Sequence, residues 1–131
     1  IGFVKTIDNL RASMKRIAAH LRPEGLAQIT PWSTVEDFQS LIVVDAADQP
    51  DLKIARMEQV RLKGPKIVEV TFHHLIGKNN EVAYHKQSME IGLFSLEEHR
   101  SAMTDAGLEV VEEYTGTDVR GGAYIGKRIA G

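Results

Sequence analysis

Apolar residues near the start of the chain recur every three or four positions, the spacing of an amphipathic helix. They are Ile7, Leu10, Met14, Ile17, Ala18 and Leu21. Thr6 stands where an N-cap residue accepts a backbone N–H bond. Pro23 cannot continue a helix, and Gly25 can take a positive φ. We therefore predict a helix over residues 7–21 that is capped by Thr6 and stopped by a tight turn.

A short apolar run at residues 26–30 follows the turn and predicts a strand that breaks at Pro31. A helix that leads into a strand through such a tight turn is typical of an α/β layer. In open α/β sheets, ligands bind beyond the carboxyl ends of strands, so Trp32 is placed to line a pocket; a core tryptophan is an equally good alternative. Residues 33–44 leave a short helix and irregular structure both open.

Three strand-like runs occupy residues 52–63, 66–76 and 81–91, after a polar loop at 45–51. Their short connections force neighbouring strands to run antiparallel, so we predict a three-stranded meander. The first run slips phase between Ile54 and Met57, which predicts a bulge there.

Histidines lie on both faces of this predicted sheet, because neighbouring residues of a strand point to opposite sides. A hairpin closed over residues 77–80 puts His73 opposite Tyr84 and makes His74 a diagonal neighbour of His85. His74 and His85 are weak candidates for a proton acceptor in a cleft. The alternative is that these histidines are satisfied structural residues.

The same geometry argues against a metal site. His73 and His74 point to opposite faces and cannot hold one ion together. No carboxylate at ligand spacing completes a site with His74 and His85, so we predict no metal.

Ser95 and Glu98 form a capping box that predicts a helix ending at Gly107. His99 shares the apolar side of this helix, and we expect it at the rim. Strands predicted at residues 108–114 and 119–129 then suggest an antiparallel edge on an otherwise parallel sheet. Arg120 precedes two glycines, where the backbone can approach a ligand closely; a solvated arginine is an equal alternative.

Composition narrows the functional classes. The chain has 131 residues, 43% of them hydrophobic, which suits one domain or part of one. A net charge of −2 with interspersed signs favours neither nucleic acid nor an anionic membrane. Cysteine is absent, which excludes disulfides and cysteine metal sites but leaves the redox compartment open. With neither a long apolar run nor a signal peptide, a cytoplasmic protein is the default expectation. Because the chain opens on Ile1 rather than methionine, we expect residues upstream.

The order of elements resembles the C-terminal half of class I S-adenosylmethionine-dependent methyltransferases. The segments that carry the resemblance are IGFVKT, HLRPEGL, PW, EIGLFS, AGLEV and VRGGAYIG. They look like the branch that N,N-dimethylates amino sugars on nucleotide carriers, over nearly the whole chain. The resemblance implies an α/β, Rossmann-like core from residues 1–32 and 95–131, with an inserted antiparallel substrate-side or dimerisation sheet at 45–94.

The resemblance also implies a function. It points to methyl transfer from S-adenosylmethionine to a small molecule, such as the amine of a sugar nucleotide, by a homodimer joined through the inserted sheet. The glycine-rich turn that holds the cofactor in this family does not appear, so we expect the chain alone not to bind S-adenosylmethionine. A non-catalytic α+β binding or dimerisation module is the alternative.

Site residues follow from the same resemblance. Ile1 and Gly2 would border the cofactor at the methyl-transfer site. Some relatives carry histidine or tyrosine at the place of Phe3, and phenylalanine takes no proton, so a base at this position is not expected. Arg120 would meet a substrate phosphate. The substrate-binding residues implied are Phe3, Trp32, His73, Tyr84 and Arg120.

Overall fold

The structure, a computed structural model, describes residues 1–114 and 122–130. The elements in chain order are α1 (Ile7–His20), β1 (Leu26–Ile29), β2 (Leu41–Gln49), β3 (Leu52–Gly64), β4 (Ile67–Lys78), β5 (Glu81–Gly92), α2 (Leu96–Asp105), β6 (Leu108–Tyr114) and β7 (Ala123–Arg128). The chain divides into two compact units. The first comprises Ile1–Phe38 and Gly92–Gly131, and the second Gln39–Ile91.

Helix α1 begins and ends as predicted. The Thr6 side chain accepts a bond from the Asn9 N–H at 3.2 Å, and Leu10, Met14 and Ala18 are buried. The turn after α1 differs from the prediction in one respect, because Glu24 rather than Gly25 takes the positive φ, at 64°. Glycine is required at position 25 for space: a Cβ there would lie 2.8 Å from the Arg22 carbonyl oxygen.

The sheet of the first unit has the order β1-β7-β6, and both pairings are antiparallel. The last two strands lie together at one side of the sheet and pair antiparallel, as predicted, with β6 outermost. The parallel pairing predicted for the rest of the sheet does not occur in the described residues, because β1 also pairs antiparallel with β7. Ala123 and Tyr124 of β7 are almost fully buried. Strand β7 pairs with β6 along one edge and with β1 along the other. In the described residues, β1 is paired on that one side.

Helix α2 follows its capping box as predicted. The Ser95 side chain accepts from the Glu98 N–H, and the Glu98 side chain accepts from the Ser95 N–H. The helix stops at Gly107, which has a φ of 79°. The core of this unit lies between the two helices and the sheet. Its buried members are Leu10, Met14, Ala18, Ile29, Phe94, Ala102, Met103, Leu108 and Tyr124.

The second unit is a four-stranded antiparallel sheet in the order β2-β3-β4-β5. The predicted meander of three strands lacked β2, which covers the end of the segment left open and most of the predicted polar loop. The polar residues of β2 are compatible with a strand because its backbone pairs with β3 along its whole length, from Leu41 to Gln49. Its mostly exposed side chains belong to an edge strand.

Two details of register were also predicted wrongly. Strand β3 pairs without interruption through Ile54 and Met57, and its irregularity lies between Leu62 and Gly64 instead. The hairpin between β4 and β5 closes over two residues, Asn79 and Asn80, which both have positive φ. Asparagine tolerates this conformation, so the loop is two residues shorter than predicted.

No helix in the described part of the chain is long and apolar enough to cross a membrane. The cytoplasmic location expected from the sequence stays a prediction.

Candidate functional site

The loop after β1, residues 30–38, carries Trp32 and is closed on itself by Asp37. The Asp37 carboxylate accepts bonds from the Ser33 hydroxyl at 2.9 Å and from the Thr34 N–H and hydroxyl at 2.7 and 2.9 Å. Ser33 and Thr34 are buried, whereas Trp32 is half-buried. The indole is therefore held on a well-bonded loop beyond the carboxyl end of a strand and remains open to solvent on part of its surface.

This loop is bound along the segment that leads into α2. The Val35 N–H donates to the Phe94 carbonyl at 3.2 Å, and Thr34 forms a parallel bridge with Phe94. The Leu96 N–H donates to both carboxylate oxygens of Glu36, at 3.1 and 3.2 Å. A carboxylate is favourable at a helix N-terminus, where backbone N–H groups lack partners.

The N-terminal segment is bound to the same stretch. The Gly92 N–H donates to the Gly2 carbonyl at 2.9 Å. A Cβ at Gly92 would lie 1.9 Å from the Val4 carbonyl oxygen, so this close approach requires glycine. Phe3, between these two contacts, is 72% exposed. Residues 92–96 run from the end of β5 into the first residue of α2. The structure thus attaches two segments to this stretch: the N-terminal one with Ile1, Gly2 and Phe3, and the loop with Trp32.

His99 lies in the core, not at the rim as predicted. Its side chain is 2% exposed, and its Nδ1–H donates to the Ser95 carbonyl at 2.9 Å. Its ring stacks on Tyr124, with centroids 5.8 Å apart, and meets Phe94 edge-on at 5.9 Å. Burial lowers the pKa of His99, although the Ser95 carbonyl and the Glu98 carboxylate act in the opposite direction. The helical spacing that placed His99 beside Met103 was the signal for this burial.

Tyr124 is the second buried polar residue of this cluster. Its hydroxyl has no hydrogen-bond partner in the part of the chain that the structure describes. Burial raises the pKa of Tyr124 to about 12. The phenol therefore stays protonated near neutral pH, and its O–H is a donor in need of an acceptor.

In the second unit, His73 and Tyr84 are in contact, as the sequence analysis predicted. The His73 Nδ1 lies 2.6 Å from the Tyr84 hydroxyl, and the two rings are 6.0 Å apart. Counting from the two-residue turn places Tyr84 diagonally from His73 rather than opposite it. The 3.0 Å contact between the Thr71 and Ser88 hydroxyls agrees with this register.

The opposite face of this sheet carries a row of polar residues across four strands. Asp45 pairs with Arg56, which pairs with His74, and counting from the turn places His85 next. The Arg56 guanidinium binds Asp45, lies 3.8 Å from Glu58 and sits 5.7 Å from the Phe72 ring centroid. His74 and His85 are therefore direct cross-strand neighbours rather than diagonal ones, although they share one face as predicted.

The His73 face also carries large apolar side chains that are between 48% and 74% exposed. They are Ile42, Val44, Met57, Leu75, Val82 and Tyr84. Exposed patches of this kind mark interaction sites more often than chance. We call this set the apolar sheet face.

Some predicted features lie elsewhere. Arg120 falls outside the described residues. A groove of about 550 Å³ runs beside α2 and β6, lined by residues that include Arg100, Leu108 and Ile129. None of the predicted site residues that fall within the described ranges lines it. Within residues 1–114 and 122–130, no three histidine, aspartate or glutamate side chains are grouped to hold a metal ion.

No protein-family profile matches the chain. It is 28% identical over 112 residues to dTDP-3-amino-3,6-dideoxy-alpha-D-glucopyranose N,N-dimethyltransferase of Streptomyces fradiae. The aligned region covers 84% of this chain and 44% of that protein. The crystal structure of Streptomyces venezuelae DesVI matches 98% of this chain with a TM-score of 0.88 and 27% identity, over 54% of its own length.

A third comparison concerns the fold alone. The structure of SAM-bound CalS10, an amino pentose methyltransferase from Micromonospora echinaspora, matches 97% of this chain with a TM-score of 0.88 and 23% identity, over 53% of its length. The chain thus spans about half the length of the proteins it matches. The matches to the Streptomyces fradiae enzyme and to DesVI confirm the resemblance predicted from the sequence: the chain is similar to the C-terminal half of sugar N,N-dimethyltransferases.

Proposed function

We propose that this chain, related to the C-terminal half of sugar N,N-dimethyltransferases, is the acceptor-binding half of an S-adenosylmethionine-dependent N-methyltransferase. Its substrate would be an amino sugar carried on a nucleotide. The observation that carries the proposal is the match to DesVI over 98% of the chain, with a TM-score of 0.88 and 27% identity. The name of the Streptomyces fradiae relative supplies the substrate class.

The described residues do not by themselves form a cradle for the cofactor. The family holds it on a glycine-rich turn between a strand and a helix. Gly122 instead precedes strand β7. Ile1 and Gly2 border the cofactor in the proposal, and the free edge of β1 receives a strand of the cofactor-binding half. When bound there, S-adenosylmethionine supplies a methyl group on a sulfonium.

The residues of this chain act on the acceptor. Methyl transfer needs a neutral amine, so the site has to orient the acceptor and take a proton from it. Phe3 and Trp32 offer apolar surface for the sugar, and the half-buried indole suits this role. His74 and His85, on one face of the sheet, are the candidate proton acceptors, and Arg120 is the candidate partner of the substrate's phosphate. His73 and Tyr84 lie on the opposite face, which the proposed dimer covers, so they are not assigned to the same acceptor.

A homodimer is part of the same proposal. The apolar sheet face, which includes Val44 and Met57, is exposed on the second unit. Packing two such faces together would remove this surface from water, and homodimer interfaces are richer in apolar area than ordinary surfaces.

The alternative is a binding or dimerisation module without catalysis. It predicts the same dimer, and the same buried histidine as a core residue, but no turnover. Formation of a methylated sugar nucleotide therefore distinguishes the enzyme from the non-catalytic module.

The test uses the complete polypeptide that the gene encodes. It is incubated with S-adenosylmethionine and a set of dTDP-linked 3-amino and 4-amino deoxysugars, and the products are read by mass spectrometry. We expect a monomethylated and then a dimethylated sugar nucleotide. The same assay on residues 1–131 alone is expected to give no product. A complete polypeptide that binds these nucleotides but never methylates them would favour the module.

A further inference from the structure

The carboxylate of Glu36 binds the first turn of α2 from a loop 60 residues earlier in the chain. Both of its oxygens accept the Leu96 N–H, at 3.1 and 3.2 Å. A hydrogen bond between two such distant segments restricts mainly the segment that has fewer other contacts. The two segments here are the loop at residues 30–38 and the first turn of α2.

The helix end is already held by local bonds. The capping box of Ser95 and Glu98 satisfies two backbone N–H groups in this turn without any help from Glu36. Helix α2 also packs into the core through His99, Ala102 and Met103. The consequence of the Glu36 contact therefore falls mainly on the loop.

Residues 30–38, the loop that carries Glu36, have no regular secondary structure apart from the isolated bridge at Thr34. Asp37 closes it internally through Ser33 and Thr34. The backbone bond from Val35 to Phe94 and the bonds to Glu36 then attach it to the start of α2. Trp32 lies four residues before Glu36, on the part of the loop that these contacts orient.

We propose that Glu36 is a positioning residue for the acceptor. By holding residues 30–38 against the first turn of α2, it fixes the indole plane of Trp32 where the acceptor's sugar packs. The inference rests on the proposed function for the identity of the ligand, an amino sugar nucleotide. It adds a residue that touches neither the cofactor nor the reacting amine and that acts through Trp32.

The first test is kinetic and uses the complete polypeptide. Glu36→Ala is expected to raise the KM for the sugar nucleotide about tenfold, as expected from losing a charge-assisted bond, with kcat and the KM for S-adenosylmethionine within about twofold of wild type. Glu36→Gln, whose amide oxygen can still accept the Leu96 N–H, should recover most of the loss. Glu97→Ala is the matched control, because it removes one carboxylate from the first turn of α2, where Glu97 contacts Ser101 and Arg100, without touching the loop.

The second test does not depend on activity. Trp32 is the only tryptophan among residues 1–131, so the fluorescence of the complete polypeptide, with any tryptophan outside these residues replaced by phenylalanine, reports on this loop. Glu36→Ala should raise the acrylamide quenching constant of Trp32 about twofold through local opening, and Glu97→Ala should leave it unchanged. Equal quenching in the two variants would overturn the inference.

The two tests separate the inference from the proposed function. If the wild-type polypeptide methylates no amino sugar nucleotide, the proposed function fails, and quenching alone decides whether Glu36 orders the loop. If it is active but Glu36→Ala leaves the acceptor KM unchanged, Glu36 does not position the acceptor. A fall in kcat with an unchanged KM contradicts the inference as well.

Discussion

The buried imidazole of His99 should make the first unit sensitive to acid. In the folded state its ring is 2% exposed, and burial lowers its pKa. In the unfolded chain a histidine titrates near pH 6.5. Between these two pKa values the unfolded state binds the extra proton, so stability is complete above about pH 6.5 and falls as the pH drops through this interval. The loss approaches about 1.4 kcal/mol per pH unit until the folded pKa is reached.

The assay is urea unfolding followed by Trp32 fluorescence at a series of pH values from about 7.5 to 5. His99→Phe should remove the part of the acid sensitivity that belongs to His99, because phenylalanine fills the site without titrating. The Ser95 carbonyl keeps its helical bond from the residue 99 N–H, at 3.1 Å in the wild type. His20→Phe is the control, since it removes an exposed histidine that makes a similar contact with the Arg16 carbonyl. Equal acid sensitivity in wild type and His99→Phe would refute the reasoning.

Three further predictions follow from single contacts. Tyr124→Phe should stabilise the protein by about 1 kcal/mol in urea unfolding, because it removes a buried hydroxyl that has no partner in the described residues; destabilisation would reveal a partner. Gly92→Ala should cost about 2–3 kcal/mol in thermal unfolding, since its Cβ would meet the Val4 carbonyl, whereas Gly64→Ala, with nothing within 4 Å, should cost little. Val44→Lys on the apolar sheet face should weaken self-association at least tenfold in analytical ultracentrifugation, and Val111→Lys in the first unit should not; a monomeric wild type would contradict the proposed dimer.

Features set by neighbouring residues could be predicted from the sequence. The caps at Thr6 and Ser95 and the stop at Gly107 each depend on contacts within four residues, and all three are observed. The resemblance to the methyltransferases depended on the order of such local features along the chain, and the comparisons confirm it.

Features set by distant contacts could not. The polar half of β2 resembles a loop, and its pairing with β3 is what makes it a strand. The middle position of β7 depends on β1, nearly 100 residues earlier, which takes its free edge. His99 was placed on the apolar side of its helix correctly, but its depth depends on Tyr124 stacking from another strand. The bond from Glu36 to Leu96 has no sequence signal for the same reason.

The central claim is that these residues bind the acceptor and that the cofactor is held elsewhere. A calorimetric titration of residues 1–131 with S-adenosylhomocysteine tests this most directly. We expect no heat of binding up to about 1 mM of S-adenosylhomocysteine. A site that covers only one side of the ligand leaves it largely in water, and the few contacts do not offset the translational and rotational entropy lost on binding. Saturable binding at about 10 μM or tighter would contradict the claim, since it would require a cofactor site within these residues.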